Sequence, residues 1–164
     1  MSERPLWAPW RMEYIESVGS RACIFCDPDP PRSDRERLIL HRGTRVMVML
    51  NRFPYAPGHL MVAPLAHGGR LSALTSEVRG ELMQRISDSA EILEKVYGSE
   101  GMNIGANQGA AAGAGFADHL HFHLVPRWSG DTNFMTVVGE LRVIPKHLER
   151  ILEQLEPHFR ELPS

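Results

Sequence analysis

The sequence predicts a single α+β domain with an antiparallel sheet of about five strands, one long helix and a C-terminal helix. Two observations support this fold class. Five short apolar runs, separated by turn residues, have the length and composition of strands. Helical periodicity occurs twice, between the third and fourth runs and after the fifth. Because the helices do not alternate regularly with the strands, a parallel βαβ sheet is not expected.

The five predicted strands lie in the central part of the chain. The first three are closely spaced, which favours antiparallel pairing, and the turn-forming stretch "PYAPG" precedes the third. The five runs cover residues 38–41, 45–50, 59–64, 102–107 and 119–128. We therefore divide the single domain into an irregular N-terminal arm that carries the cysteines (1–36), a core (about 37–128) and a C-terminal tail with its helix (129–164).

Both helices are predicted from apolar residues that recur at three- and four-residue steps. The stripe of the long helix consists of Val78, Leu82, Ile86, Ala90, Leu93 and Tyr97. Thr75 or Ser76 can cap its start, and Gly98 can end it. The second helix is expected from about Pro145, because proline suits a first helical turn. Its apolar face consists of Leu148, Ile151, Leu152 and Leu155.

Composition and charge exclude several classes of protein. The chain has 164 residues, of which 43% are hydrophobic and 23% charged, the usual proportions of one globular domain. Its formal charge of -2 argues against a surface that binds nucleic acid. The sequence has no apolar run of about 18 residues that would predict a membrane span, and its first residues lack the pattern of a signal peptide. We therefore expect a cytoplasmic protein.

The stretch "HLHFHLVPRW" (119–128) places three histidines at alternate positions between apolar residues. On a strand, alternate residues share a face and lie roughly 6.6 Å apart, so His119, His121 and His123 are expected on one face. A single histidine is usually solvated or hydrogen-bonded, but three in register indicate chemistry. Two interpretations remain open: a metal site, or a nucleophilic imidazole that attacks phosphorus between two assisting histidines.

The segment before the histidines, "GANQGAAAGAGFAD" (105–118), is rich in glycine and alanine. Its glycines let the backbone approach a ligand closely and turn N–H groups towards phosphate oxygens. Such a loop on its own is most often a flexible connection. Next to a row of histidines, it favours phosphate chemistry.

The chain contains two cysteines, Cys23 and Cys26, in the stretch "ACIFCD". They can be two small buried hydrophobic residues, a redox pair or half of a metal site. A thioredoxin-like pair is the less favoured reading, because no βαβ pattern surrounds it. A tetrahedral zinc site would need two more nitrogen or sulfur ligands.

Several segments resemble the histidine triad (HIT) superfamily of nucleotide hydrolases and transferases. "HLHFHLV" (119–125) matches its signature of three histidines between apolar residues, and "NRFPYAPGHLMVAPLAH" (51–67) resembles its upstream Pro-Gly-His turn and strand. The stretch 107–135, with "VPRW" and "GDTNFM", and "LWAPWRMEYI" (6–15) are similar to the diadenosine tetraphosphate phosphorylase-like branch. The resemblance implies a HIT-like fold.

The resemblance also implies a two-step nucleotidyl transfer. His121 would attack the α-phosphorus of a bound nucleotide and form a nucleotidyl-histidine intermediate, which water or inorganic phosphate then resolves. His123 would contact the phosphate and help to protonate the leaving group. The expected reaction is cleavage of dinucleoside polyphosphates, first of all phosphorolysis of diadenosine tetraphosphate to ADP and ATP.

Nucleotide contacts outside the triad follow from the same resemblance. Asn51 corresponds to the position that binds ribose hydroxyls, and Asn107, with Gln108 beside it, corresponds to an amide on the α-phosphate. Backbone N–H groups of the segment Gly113–Phe116, which includes Gly115, would meet phosphate oxygens.

A structural zinc site is a further implication of the resemblance. His67 and His119 would complete the site with the two cysteines, pin the N-terminal arm to the sheet and leave His121 free. His59 would support the turn and the site by hydrogen bonding, whereas His41 is interpreted as a surface residue.

HIT domains resemble half of a continuous ten-stranded sheet formed by two subunits, so we expect a homodimer. Its partners would be a nucleotide and inorganic phosphate as candidate co-substrate. Three alternatives stay open. The first is a HIT hydrolase of dinucleoside polyphosphates or nucleoside phosphoramidates. The second is a metallohydrolase whose three histidines hold one catalytic ion, and the third is a non-catalytic nucleotide-binding module.

Overall fold

The computed structural model of the protein describes residues 23–28, 30–131 and 148–163. They form a five-stranded sheet with strand order β1-β2-β3-β5-β4, in which every neighbouring pair is antiparallel. The strands are β1 (Ile39–Arg42), β2 (Val46–Leu50), β3 (Leu60–Pro64), β4 (Gly101–Gly105) and β5 (Phe122–Arg127). The two helices are α1 (Ser76–Tyr97) and α2 (Leu148–Arg160). The predicted α+β fold class is confirmed.

Helix α1 begins and ends where the sequence predicts. Thr75 is the N-terminal cap, because its hydroxyl accepts a hydrogen bond from the backbone N–H of Val78. Gly98 ends the helix in the left-handed conformation, with φ of 58°, which glycine adopts without steric cost. Neither helix in the described part of the chain combines the length and apolar character needed to cross a bilayer.

Helix α2 packs its apolar face on the sheet beside α1. The predicted face is confirmed for Ile151, Leu152 and Leu155, and Phe159 extends it. The predicted start near Pro145 lies outside the described residues. The helix also covers His41, which is only 8% exposed, so the prediction that His41 is a surface residue was wrong.

The sheet is buried on two faces, which differ in what covers them. On the helix face, leucine and valine side chains of the strands pack against α1 and α2. On the other face, the cover includes a short turn, residues 23–27, which we call the cysteine turn. The side chains buried there are Phe25, Ile39, Met47, Met49, Met61 and Ala63. This second face carries the histidines.

The strand β5 begins at Phe122, so the prediction that all three histidines lie within one strand was wrong. The ladder with β3 runs from Leu60↔Leu124 to Val62↔Phe122 and stops there. Pro64 ends β3 and has no N–H to donate. The N–H of Leu120 donates instead to the carbonyl of Gly68, at 2.8 Å. His119 and His121 therefore precede the strand, and His123 lies on it.

Candidate active site and metal centre

Three imidazoles, those of His59, His121 and His123, meet at one end of the sheet, next to the cysteine turn. The rings of His121 and His123 are 4.9 Å apart, and those of His59 and His123 are 5.1 Å apart. His59 follows the turn-forming glycine Gly58, whose φ of 80° suits glycine, and it leads directly into β3. The connection between β2 and β3 and the chain around the start of β5 thus converge on one place.

His121 presents one ring nitrogen as an electron-pair donor. Its Nδ1–H donates to the carbonyl oxygen of His119 at 2.8 Å, since a carbonyl can only accept. The imidazole is 4% exposed, and burial lowers its pKa. A neutral ring with hydrogen on Nδ1 carries its lone pair on Nε2. Nε2 of His121 is therefore suited to nucleophilic attack.

His123 receives a fixed orientation from His59. The backbone N–H of Tyr55 donates to Nδ1 of His59 at 3.0 Å, so a neutral His59 carries its hydrogen on Nε2. That Nε2 lies 2.9 Å from Nδ1 of His123. His123 then accepts at Nδ1 and keeps its own hydrogen on Nε2. The pair thus provides a hydrogen-bond donor on a ring whose centre lies 4.9 Å from that of His121. These hydrogen bonds of His59 agree with its predicted supporting role.

Phe25 lies against the imidazoles from the cysteine turn. Its ring stacks on His121 at 4.7 Å with an interplanar angle of 28°, and it meets His119 at 4.9 Å. Phe116 contacts its edge at 6.0 Å. Phe25 is 2% exposed, so the aromatic ring is a buried wall of the site.

The two cysteines and two histidines are arranged for metal binding. Sγ of Cys23 lies 3.3 Å from Nδ1 of His119, and Sγ of Cys26 lies 3.3 Å from Nδ1 of His67 and 3.7 Å from that of His119. All four ligand atoms lie within 4.8 Å of one another. Zinc–sulfur and zinc–nitrogen bonds of about 2.3 and 2.0–2.1 Å place tetrahedral donors roughly 3.3–3.8 Å apart. The Cys2His2 group fits such an ion.

The protonation states of His119 and Cys23 also favour metal binding. Nε2–H of His119 donates to the carbonyl of Pro64 at 2.8 Å, which turns the lone pair of Nδ1 towards the cysteines. Burial opposes ionisation of Cys23, but its hydrogen bonds with His119 and the backbone outweigh it and lower its pKa to about 6. The thiolate is the form that binds metals. For Cys26, burial and the neighbouring Cys23 raise the pKa.

Arg37 binds the backbone of the cysteine turn. Its guanidinium donates to three consecutive carbonyls, those of Ile24, Phe25 and Cys26, at 3.3, 3.3 and 2.9 Å. It also pairs with the carboxylate of Asp27. The Arg37 side chain is only 7% exposed, so these acceptors satisfy a buried charge.

The glycine-rich loop (105–118) lies beside both His123 and Phe25. Its first residue, Gly105, is the β4 partner of His123. Near the end of the loop, the ring of Phe116 contacts that of Phe25. Gly109 and Gly113 flank a 3₁₀ turn at Ala110–Ala112 and have φ of 85° and 78°, so both positions require glycine. Gly115 lies half-buried in the returning part of the loop.

The three predicted polar nucleotide contacts have protein partners in this structure. The side-chain oxygen of Asn51 accepts from the N–H of Phe53 at 2.9 Å, and that of Gln108 accepts from the N–H of Leu71 at 2.9 Å. The amide of Asn107 donates to the carbonyl of Gly113 at 3.4 Å. Asn107 thus braces the loop close to the predicted phosphate position. Asn51 lies at the His59 end of β2, since its N–H donates to the carbonyl of His59.

Comparison with known proteins decides the family. Residues 33–130 match the sequence model of the HIT domain. This chain belongs to the HIT family. The match covers the sheet, α1 and the three histidines, and it confirms the resemblance predicted from the triad. The residues before 33, including the cysteine turn, lie outside the matched range.

Relatives of this HIT protein include enzymes of nucleotide metabolism. It is 39% identical over 167 aligned residues to AP-4-A phosphorylase of Mycobacterium tuberculosis, with 96% of this chain and 85% of the relative covered. It is 30% identical over 93 residues to the asymmetrical bis(5'-nucleosyl)-tetraphosphatase of Schizosaccharomyces pombe, covering 57% of this chain and 50% of the relative. A crystal structure of a Zn-bound histidine triad family protein from Mycobacterium smegmatis shares the fold. Its TM-score is 0.61 at 22% identity, with 91% of this chain and 93% of that one covered.

Sequence reasoning missed two residues of this HIT site, Phe25 and Arg37. Phe25 stands between the cysteines and was assigned no role, although it is the aromatic residue of "CIFC". Arg37 follows a proline-rich charged stretch, in which a buried guanidinium had no visible signal. The structure places both cysteines, His67 and His119 in one group and His59, His121 and His123 in an adjoining one.

Proposed function

We propose that this protein is an enzyme that cleaves dinucleoside polyphosphates, with diadenosine tetraphosphate as substrate and inorganic phosphate as acceptor. The observation that carries the proposal is the state of His121. Its Nδ1–H is fixed on a backbone carbonyl, which leaves the lone pair on Nε2, and its ring centre lies 4.9 Å from that of the oriented His123. The 39% identity to an AP-4-A phosphorylase supports the choice of substrate.

In the first step, Nε2 of His121 attacks the α-phosphorus and forms a P–N bond. The bond from that phosphorus to the bridging oxygen breaks, and ATP leaves with the electron pair. Nε2–H of His123 hydrogen-bonds to the departing oxygen and stabilises its charge. The carbonyl of His119 stabilises the positive charge that develops on the His121 ring, because it accepts from Nδ1–H.

In the second step, an oxygen of inorganic phosphate attacks the same phosphorus and the P–N bond breaks. The product is ADP, and the electron pair returns to Nε2 of His121. Water in place of phosphate would give AMP. The net phosphorolysis is diadenosine tetraphosphate plus phosphate to ADP plus ATP, with His121 regenerated.

Nucleotide contacts outside the triad are part of the proposal. Asn51 would bind the ribose, while Asn107, Gln108 and backbone N–H groups of Gly113–Phe116 would hold the α-phosphate. The loop runs past both His123 and Phe25, which supports this assignment. Asn51 and Gln108 would exchange a backbone partner for the ligand on binding.

A zinc ion held by Cys23, Cys26, His67 and His119 would be structural. Bound there, it supplies a crosslink between the cysteine turn and the segment before β5, and no reaction step passes through it. The donor distances support the assignment. Because Nδ1 of His119 faces the cysteines and Nδ1 of His121 bonds the backbone, the metallohydrolase with three histidines on one ion is disfavoured.

We further propose a cytoplasmic homodimer made of the single domain 1–164. β4 is an edge strand whose described pairing is with β5, and Ile104 on it is 48% exposed. A second copy that paired with this edge would continue the sheet and cover Ile104.

Hydrolysis is the second candidate reaction. The 30% identity to an asymmetrical tetraphosphatase favours it as the alternative. Both reactions use His121 in the same way and differ in whether water or phosphate resolves the intermediate.

Product analysis with and without phosphate tests the proposal. The purified protein is incubated with diadenosine tetraphosphate, and the nucleotides are separated by chromatography. ADP and ATP that form only with phosphate are expected, and AMP plus ATP regardless of phosphate would replace phosphorolysis by hydrolysis. Lack of turnover in both arms would rule out diadenosine tetraphosphate as the substrate. Nucleoside phosphoramidates, or a non-catalytic nucleotide-binding role, would then be the alternatives to test.

A further inference from the structure

We propose that Phe25 is a positioning residue for His121 and that Arg37 holds Phe25 in place. The cysteine turn would then orient the nucleophile in addition to binding a metal. This inference rests on the proposed function, because it assumes that His121 is the nucleophile.

A hydrogen bond at one ring nitrogen does not fix an imidazole. The second side-chain torsion of histidine is broad, so a ring anchored only at Nδ1 can still swing. Phe25 stacks on the His121 ring at 4.7 Å and 28°, which restricts that swing. Nδ1–H and the stacked face together set the direction of Nε2.

The ring of Phe25 is itself held from several sides. It meets His119 at 4.9 Å and Phe116 at 6.0 Å, and it is 2% exposed. Because His119 is also a ligand in the metal group, Phe25 contacts both that group and the nucleophile.

Arg37 fixes the backbone on which Phe25 stands. Its guanidinium binds the carbonyl of Phe25 and those of the residues on either side, at 2.9–3.3 Å. All three contacts are made by Nη2, while Nη1 pairs with the Asp27 carboxylate, so the planar guanidinium ties the carbonyls around Phe25 to the end of the cysteine turn. A lysine at this position would keep the charge, but its single nitrogen could not bind these carbonyls and the Asp27 carboxylate with the same two-nitrogen geometry.

Kinetics of matched variants test the positioning role. Phe25→Leu keeps an apolar side chain but loses the flat face, and we expect kcat to fall about tenfold with KM changed less than about twofold. Phe25→Tyr keeps the face and should restore kcat to within about twofold of the parent. The control is Phe159→Leu, a buried aromatic residue of α2 on the helix face, which should lower stability and leave kcat unchanged.

Arg37→Lys tests the second part of the proposal. It should lower kcat in the parent by roughly threefold or more, but add little in the Phe25→Leu background, because both changes act through the same ring. Additive losses in the double variant would overturn the link between Arg37 and Phe25. Metal content is measured on every variant, and a kcat loss proportional to metal loss would also overturn the positioning role.

A spectroscopic measurement separates this inference from the proposed function. In ¹⁵N-histidine-labelled protein, His121 should show hydrogen on Nδ1 alone, and Phe25→Leu should mix the two tautomers while Phe159→Leu does not. If His121→Ala keeps its turnover, the proposed function fails, yet the spectra still report whether Phe25 holds the ring. An unchanged His121 signal together with parent kcat in Phe25→Leu would overturn the inference.

Discussion

The two faces of the sheet are closed by different means. On the helix face, α1 and α2 cover the strands with aliphatic side chains and Phe159. On the histidine face, the five-residue cysteine turn covers methionines and imidazoles, and it is held by Arg37 and the metal group. Burial of many apolar groups stabilises the first face, whereas a few directional contacts define the second. Changes on the helix face should therefore affect stability alone, whereas changes on the histidine face should also affect chemistry.

Removal of the nucleophile is expected to have the largest effect. His121→Ala deletes the attacking nitrogen, so turnover of diadenosine tetraphosphate should fall by at least about 10³-fold. Steady-state kinetics measure the loss, and the control is His158→Ala in the last turn of α2, which should keep the parent rate. Retention of about a tenth of the parent turnover in His121→Ala would rule out this nucleophile.

A cavity on the helix face should give the opposite pattern. Leu155 is fully buried, so Leu155→Ala should lower the free energy of unfolding by about 3 kcal/mol. Urea unfolding measures this loss, and kcat of the folded protein should not change. Leu155→Met, which nearly conserves volume, is the control and should cost less than about 1.5 kcal/mol. A selective loss of kcat in Leu155→Ala would show that the faces are not independent.

Removal of the metal tests how the histidine face is held. A strong chelator should lower the melting temperature by roughly 5 °C, because the crosslink between the cysteine turn and His119 is lost. Activity should decline later than metal content, following unfolding. Immediate loss of turnover with the metal would instead indicate a catalytic ion.

The smallest effect is expected at the start of α1. Thr75→Ala removes the capping hydroxyl and should cost about 1 kcal/mol of stability, with kcat unchanged. Ser76→Ala, one residue later, should cost less, since Thr75 provides the cap. Thermal or urea unfolding of both variants distinguishes them, and an equal or larger loss for Ser76→Ala would reverse the assignment.

Elements with local signals could be predicted from the sequence. The ends of α1 depend on Thr75 and Gly98, and the buried face of α2 depends on periodicity, so both were found. The triad was found because a three-histidine spacing is specific. Fold and family are accordingly confirmed.

Features set by distant partners could not be predicted. The start of β5 depends on Pro64, which ends the partner strand and accepts from His119. Burial of His41 depends on α2, more than a hundred positions along the chain. Phe25 and Arg37 show their roles only once the cysteine turn is folded onto the histidines, since Cys23 and His119 are 96 positions apart.

The central claim is that His121 carries the nucleotide, and trapping the intermediate tests it most directly. The protein is mixed rapidly with diadenosine tetraphosphate without phosphate, quenched under conditions that preserve P–N bonds, and digested for mass spectrometry. We expect one adenylyl group on the peptide that contains His121, and loss of that label when phosphate is added before the quench. An adenylyl group on His123 or another residue, or turnover that proceeds with no labelled peptide, would contradict the mechanism.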